Sequence, residues 1–137
     1  MSTHPIVQRD GMAISESDIE KILESARDYA EGWFDGDADR LARSLHPSAR
    51  KRAVADHASG ALDLDELDIP PWLERVRSRG PVTNLSRDCD YVVLDVFRDL
   101  ATCLVLSQPF MDYLHLARFG DRWLLVNVLY QEREGQA

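Results

Sequence analysis

The chain has 137 residues, of which 45% are hydrophobic and 8% are aromatic, and its formal net charge is −8 at pH 7. This length and composition fit one globular domain with a core of its own and exclude a disordered chain. The acidic balance, without a basic stripe, argues against nucleic acid as a partner. No apolar run approaches the roughly 18 residues of a membrane span, so we expect a cytoplasmic protein that does not bind membranes.

The N-terminal segment, residues 1–13, mixes proline, glycine and polar residues without periodicity. We expect an arm there, which leaves residues 14–137 as the single domain. Ser15, followed by Asp18 at the third helical position, has the pattern of a capping box and predicts the start of a helix. Apolar residues at helical spacing follow, and Gly36 is expected to end this first helix.

Two shorter helices are predicted downstream. The second should end at His46-Pro47, because a residue that precedes proline avoids the helical region. Residues 50–56 are ambiguous and are interpreted as a short strand. The third helix is expected to begin near Pro70-Pro71 and to end at Gly80-Pro81.

The remainder of the chain is rich in valine, leucine and aromatic residues and predicts four antiparallel strands. The strands cover residues 91–97, 100–107, 110–119 and 122–130, with turns at Arg98-Asp99, Gln108-Pro109 and Gly120-Asp121. If each turn is a two-residue hairpin, the pairing follows by counting, and side chains alternate between the two faces of the sheet.

One face of this sheet is expected to pack against the helices. It carries the small residues Ala101 and Cys103, where a helix can approach, and Trp123 to fill the core. The same count places Asp112 and Asn127 on this face. A single bulge would exchange the faces of every residue beyond it.

The opposite face mixes polar residues with large apolar ones and would form an unusually large apolar patch in water. We therefore expect a homodimer through this second face. The contact residues predicted on this face are Thr102, Tyr113, His115, Val126 and Val128.

Several stretches together resemble a known family. They are residues 29–37, Leu45-His46-Pro47, Lys51-Arg52, residues 110–116 and residues 120–123. Over roughly residues 18–131 the chain is similar to the nuclear transport factor 2-like, or cystatin-like, superfamily. Within it, the chain resembles the small bacterial proteins called putative lumazine-binding.

The resemblance implies an α+β cone, with three N-terminal helices packed on a strongly curved antiparallel sheet. It also implies a dimer with a pocket between the helices and the concave face. Cones of this superfamily include ketosteroid isomerases, dehydratases, epoxide hydrolases and polyketide cyclases, together with members of no known reaction. The chemistry that the resemblance implies is proton transfer without a cofactor, but the fold does not fix the function.

Asp112 is the main catalytic candidate. The register places it on the helix-facing side, with Val105 and Leu129 as cross-strand neighbours. A carboxylate among apolar groups has a raised pKa, as a general acid or base near neutral pH requires. The alternatives are an Asp that lines the pocket without catalysis and a structural Asp near the Pro109 turn.

His115 is the alternative catalytic candidate. It shares a row with Thr102 and Asp95, which we interpret as a polar row inside the dimer interface. If a bulge reversed the faces, Asp95 and His115 would instead enter the cavity as an acid–base pair.

Tyr29 and Trp33 lie four residues apart on the first helix and therefore point the same way. Aromatic residues at helical spacing more often form simple core, and the alternative is that these two form an aromatic wall for a flat ligand. The complete ligand-binding prediction comprises Tyr29, Trp33, Asn127 and Leu114, around a small apolar or aromatic molecule.

No metal or cofactor is expected. Asp35-x-Asp37-x-Asp39 is similar to the start of a calcium loop, but Arg40 stands where that loop needs glycine. Cys89 and Cys103 form no metal-binding or redox motif. The leading hypothesis is therefore a pocket protein in which Asp112 acts as general base in a cofactor-free isomerase, dehydratase or cyclase. The alternative is a non-catalytic dimeric binding module.

Overall fold

The computed structural model describes residues 15–133. The predicted arm, residues 1–13, lies outside the described residues, and one domain over residues 14–137 stays a prediction. In chain order the elements are α1 (Glu16–Asp35), α2 (Ala38–Arg43), β1 (Leu45–Asp56), β2 (Leu62–Leu67), α3 (Ile69–Arg79), β3 (Asp90–Phe97), β4 (Leu100–Leu106), β5 (Phe110–Phe119) and β6 (Arg122–Glu132).

Helix α1 begins and ends where the sequence predicted. The Ser15 hydroxyl accepts a hydrogen bond from the backbone N–H of Asp18 at 3.3 Å. Gly36 follows the helix with φ 68°, in the left-handed region that favours glycine. A Cβ on Gly36 would lie 2.4 Å from the carbonyl carbon of Gly80. Glycine at this position thus ends α1 and also allows the end of α3 to approach it closely.

The predicted end of the second helix at His46-Pro47 is wrong. Helix α2 ends at Arg43, and His46 and Pro47 lie inside strand β1. Proline is tolerated there because the pairing of β1 with its neighbour shifts between Leu45 and Arg50, where regular ladder bonds are interrupted.

The structure has two strands before the predicted four. The ambiguous residues 50–56 belong to the 12-residue strand β1. Strand β2, which pairs with β1, was not predicted, because three of its six residues are acidic and acidic residues are uncommon in strands. Helix α3 includes Pro70-Pro71 and ends at Gly80, as expected.

The six strands form one open sheet in the order β2-β1-β6-β5-β4-β3. All neighbouring pairs are antiparallel except β1 and β6, which are parallel. Two expectations therefore need correction: the sheet is mostly rather than wholly antiparallel, and α3 follows two strands rather than preceding the sheet. The α+β class is confirmed.

The strand pairing counted from the hairpin turns is correct from each turn as far as a bulge, one in β3 and one in β6. Leu125 pairs with Leu116 and Asn127 with His115, so Val126 is an extra residue in β6. Another register shift follows Val93 in β3. Because one extra residue exchanges the faces of a strand, the face predicted for each residue beyond Val126 is wrong.

The helices cover the sheet face that carries Ala101, Cys103 and Trp123, as the sequence predicted. Val128, which was assigned to the dimer face, is instead fully buried in this core because of the bulge at Val126. Trp123 is also buried, and its indole N–H donates a hydrogen bond to Asp18 of α1 at 3.1 Å. Within residues 15–133, no helix combines the length and the apolar character that crossing a membrane requires.

Candidate functional site

A cavity of about 120 Å³ lies between the helices and the inner face of the sheet. Helix α1 supplies one wall, α3 supplies an indole, and strands β1, β4, β5 and β6 supply the remainder. The lining residues are Tyr29, Ala30, Trp33, Phe34, Lys51, Trp72, Val105, Ser107, Phe110, Asp112 and Tyr130. Aromatic rings thus surround a small number of polar groups, which is the usual composition of a small-molecule site.

Asp112 lies near the start of β5, on its inner face. It is 6% exposed, and its cross-strand neighbours are Val105 and Tyr130. Its Oδ1 atom is buried and has no hydrogen-bond partner among residues 15–133. Burial raises the pKa of Asp112, while the charge of Lys51 and the hydrogen bond from the Tyr29 hydroxyl oppose that rise. An unpaired buried carboxylate oxygen is unfavourable, so this atom is suited to accept a proton or a ligand donor.

Lys51 projects from β1 into the same cavity because side chains alternate along a strand. Ala49 and Ala53, two residues away on either side, are buried with it. The Lys51 ammonium donates a hydrogen bond to the Tyr29 hydroxyl. Its Nζ lies 4.8 Å from the ring centroid of Tyr29, 4.5 Å from that of Trp72 and 4.3 Å from that of Tyr130.

Burial lowers the pKa of Lys51 to about 8, although the nearby Asp112 carboxylate acts in the opposite direction. The pKa of the Tyr29 hydroxyl is raised well above its ordinary value, first by burial and then by the negative charge of Asp112. Tyr29 therefore keeps its proton and can donate it in a hydrogen bond. The site holds a connected acid–base group of Lys51, Tyr29 and Asp112.

The aromatic lining is held by ring–ring contacts. Trp33 meets Phe110 edge-on at a centroid distance of 5.4 Å, and Phe110 meets Tyr130 in the same way at 5.4 Å. Tyr29 and Trp72 lie 6.3 Å apart. Such contacts restrict the rotation of the rings, so the apolar walls are largely formed in advance of a ligand.

The structure brings together three of the side chains that the sequence singled out: Tyr29, Trp33 and Asp112 all line the cavity. Leu114 lies one pair further along β5, where it is fully buried in the core and does not line the cavity. The roles of Tyr29, Trp33 and Asp112 toward a ligand stay predictions.

The predicted position of Asn127 in the pocket is wrong. The bulge at Val126 turns Asn127 to the opposite face, where its amide nitrogen lies 3.3 Å from Nδ1 of His115. The same bulge removes Leu129 from the side of Asp112 and brings Tyr130 there instead.

His115 lies on the outer face, in the row with Thr102 and Asp95 that the register predicted. The alternative in which Asp95 and His115 enter the cavity as an acid–base pair is wrong, because the bulges of β3 and β6 leave both residues outside it. The outer face has its own groove, of about 550 Å³, which includes this row and the exposed side chains of Phe97 and Leu100.

Sequence reasoning missed Lys51, Trp72 and Tyr130 as lining residues. In the sequence, Lys51 was noted only as part of the Lys51-Arg52 stretch that resembles the family. The alternation Ala49-x-Lys51-x-Ala53 could have indicated the buried position of Lys51. In a strand, these three side chains point to the same face, and the two small alanines favour the inner one. No sequence pattern indicated that Tyr130 lines the cavity, because its position depends on the bulge at Val126.

No group of three or more His, Cys, Asp or Glu side chains within residues 15–133 is arranged to hold a metal ion. The acid–base group of the cavity contains a single carboxylate, Asp112, with a lysine and a tyrosine. The chemistry that this donor set supports directly is proton transfer and the binding of a polar atom within apolar walls.

Comparison with known proteins agrees with this fold. A nuclear transport factor 2-like protein of unknown function from Silicibacter pomeroyi is 17% identical and has a TM-score of 0.67, over 88% of this chain and 100% of that one. A protein of unknown function with a cystatin-like fold from Nostoc punctiforme is 9% identical, with a TM-score of 0.64 over 90% and 97%. A ketosteroid isomerase-like protein from Erwinia carotovora atroseptica is 11% identical, with a TM-score of 0.57 over 86% and 98%.

These likenesses place the chain in the class of nuclear transport factor 2-like, or cystatin-like, α+β folds. Residues 17–131 match the family described as putative lumazine-binding, and the chain belongs to that family. No curated protein matches the chain.

Proposed function

We propose that the cavity binds a small, largely apolar ring compound that carries a carbonyl group, and that Asp112 accepts a proton from it without a cofactor. The observation that carries this proposal is the buried, unpaired Oδ1 of Asp112 in a cavity that also holds Lys51 and Tyr29. We also infer that the sheet curves as a cone around this cavity, which the bulges of β3 and β6 support, because bulges bend strands.

The size of the cavity sets the size of the ligand. A dry apolar cavity of about 150 Å³ in another protein accommodates one benzene molecule, so about 120 Å³ suits the buried part of a single-ring compound. Trp33 and Phe110 offer ring surfaces for stacking. The family description and the isomerase-like neighbour are consistent with a cyclic ligand but do not identify one.

The polar groups of the cavity would determine how such a ligand is oriented. Lys51 and Tyr29 donate hydrogen bonds, so they would hold the carbonyl oxygen and stabilise negative charge that develops on it. Asp112 would then take a proton from the adjacent carbon. Because burial raises its pKa, Asp112 is a stronger base than an exposed carboxylate.

We expect Asp112→Asn to slow proton exchange by about 10²-fold or more, because the amide keeps the shape of the side chain and cannot accept the proton. The measurement follows deuterium incorporation from D₂O into cyclohexanone by mass spectrometry, with excess protein. The matched control is Asp88→Asn, the same change at an exposed carboxylate, which should leave the rate unaltered. Equal rates for the unaltered chain and Asp112→Asn would contradict the assignment of Asp112 as base.

A second candidate function is a non-catalytic dimeric module, and one observation favours association. Phe97, Leu100, Tyr113 and Leu129 are large hydrophobic side chains exposed on the strands of the outer face. We propose a homodimer through this face, with Thr102, Tyr113, His115 and Val126 at the contact. The homodimer itself is compatible with a ligand in the cavity, because the cavity lies on the other side of the sheet.

Charged substitutions in the outer face test the homodimer proposal. Leu100→Glu and Tyr113→Glu, introduced together, place carboxylates in the apolar face and should convert the dimer to a monomer at micromolar concentration. Sedimentation velocity measures the change. Leu62→Glu with Leu64→Glu, on the exposed edge strand β2, is the matched control and should leave the dimer intact. A chain that is already monomeric before substitution would exclude the proposed interface.

We also infer a cytoplasmic location. This inference is supported by two free cysteines, Cys89 and Cys103, since thiols usually remain reduced in the cytoplasm.

A further inference from the structure

Lys51 is the feature of the cavity that the general-base proposal uses least. Its side chain is 5% exposed, although lysine is among the residues that are least often buried. The groups that face it come from four elements: Tyr29 of α1, Trp72 of α3, Asp112 of β5 and Tyr130 of β6. A hydrogen bond to the carbonyl oxygen alone does not require an amine at this position, since a hydroxyl would provide it.

We propose that Lys51 is the nucleophile of this cavity and forms a reversible imine with the carbonyl carbon of a ring-sized aldehyde or ketone. This inference rests on the proposed function, because it uses the same cavity and the same proton acceptor, Asp112. It names the substrate class as carbonyl compounds that react covalently.

The surroundings of Lys51 favour a reactive amine. Three aromatic rings within 4.8 Å of Nζ exclude water from it. Burial lowers the pKa of the amine to about 8, so a substantial share is neutral at slightly alkaline pH and has a free electron pair. A desolvated lysine in an apolar pocket is the usual form of an imine-forming residue.

The covalent step can be written with the groups present. The Nζ electron pair attacks the carbonyl carbon, a C–N bond forms, and the π electrons of the C=O bond move to oxygen, which takes a proton transferred from the amine. This gives a carbinolamine. Asp112 in its protonated form then donates a proton to the hydroxyl group, the C–O bond breaks and water leaves as the C=N bond forms.

The product is an iminium ion and one molecule of water, and Asp112 is left as the carboxylate. The iminium carbon withdraws electrons from the adjacent C–H bond more strongly than a hydrogen-bonded carbonyl does. Asp112 can therefore remove that proton and form an enamine. The aromatic rings that now surround the ammonium of Lys51 would also stabilise the positive iminium nitrogen.

The test uses reductive trapping. The unaltered protein is incubated with cyclohexanone and sodium cyanoborohydride, which reduces a C=N bond to a stable secondary amine. The adduct adds the mass of the ketone less one oxygen atom, and peptide mapping locates it. The chain has two lysines, Lys21 on α1 and Lys51, so each serves as the internal reference for the other.

We expect Lys51 to be labelled at least about tenfold faster than Lys21 in the folded protein, because the cavity holds the ketone beside it. Unfolding in urea should abolish this preference. Lys21→Arg should retain the label, and Lys51→Arg, which keeps the charge but has no reactive amine, should lose it. Labelling confined to Lys21 or the chain terminus would overturn the inference, and this result needs no variant to fold.

The outcomes also separate this inference from the proposed function. If deuterium exchange depends on Asp112 but Lys51 is not trapped, the imine is wrong and the general-base proposal stands. Trapping at Lys51 without exchange dependent on Asp112 supports the imine and contradicts Asp112 as base. If neither occurs, both proposals fail.

Discussion

Replacing Trp123 with alanine is expected to lower the free energy of unfolding by about 3–5 kcal/mol. The indole is 1% exposed and is the largest of the fully buried side chains. It also donates a hydrogen bond to Asp18 of α1, while the backbone carbonyl of Trp123 accepts one from the Ser25 hydroxyl. Alanine would leave a cavity and remove one of the two hydrogen bonds to Oδ1 of Asp18, the other coming from Arg118 at 3.4 Å. Denaturant unfolding followed by circular dichroism measures the loss.

Trp123→Phe is the matched control for this prediction. Phenylalanine keeps most of the buried ring but loses the indole N–H, so we expect a loss of about 1–2 kcal/mol. If Trp123→Ala lowers the free energy by less than about 1 kcal/mol, the indole does not lie in the core and the packing of α1 on β6 is wrong.

The second large effect is that the free energy of unfolding should rise with pH because of Lys51. Burial lowers the pKa of Lys51 in the folded protein from its ordinary value of 10.5 to about 8. Between these values the unfolded chain binds more protons than the folded chain, so stability rises with pH. The penalty for the buried ammonium is complete below pH 8 and is removed as the pH approaches 10.5. At about 1.4 kcal/mol per pKa unit, this interval corresponds to about 3 kcal/mol.

The measurement is the difference in free energy of unfolding between the unaltered chain and Lys51→Met, taken across pH 7–11. The difference isolates Lys51 from the buried cysteines and tyrosines, whose pKa values are raised and which therefore destabilise the fold as the pH rises. Lys21→Arg is the control and should leave the slope unaltered. A difference that stays constant through pH 8–10.5 would mean that Lys51 is solvated in the folded protein.

The sequence was sufficient to predict the features that depend on local patterns. The cap at Ser15, the glycine end of α1 at Gly36 and the turn at Gly120-Asp121 all need particular residue types at fixed positions, and all were predicted. Alternation then predicted correctly that Ala101, Cys103 and Asp112 share the helix-facing side.

The errors in the assignment of side chains to the two sheet faces have one physical cause. An extra residue in a strand leaves no compositional mark when it is itself apolar, as Val126 is, yet it exchanges the faces of all that follows. Asn127 was therefore placed in the cavity and Val128 on the outer face, whereas Asn127 lies on the outer face and Val128 is buried in the core on the helix-facing side. The parallel pairing of β1 with β6 is a long-range contact, and no local pattern at His46-Pro47 indicated it.

Lys51 shows a second limit of sequence reasoning. A basic residue in an exposed-looking segment is normally solvated, and only the pairing of β1 with β6 brings it to Asp112 and Tyr130. The group of lysine, tyrosine and carboxylate combines residues from three separate elements. Its members are recognisable one by one in the sequence, but their proximity is a property of the fold.

Anomalous diffraction from crystals soaked in p-bromophenol tests the central claim most directly, which is that Asp112 faces a cavity built to receive a small ring compound. The account predicts a bromine peak inside the cavity, with the ring against Trp33 and Phe110 and the phenol oxygen within hydrogen-bond distance of Asp112. Bromine found only in the outer groove beside Phe97 and Leu100, or a cavity filled by its own side chains, would contradict it.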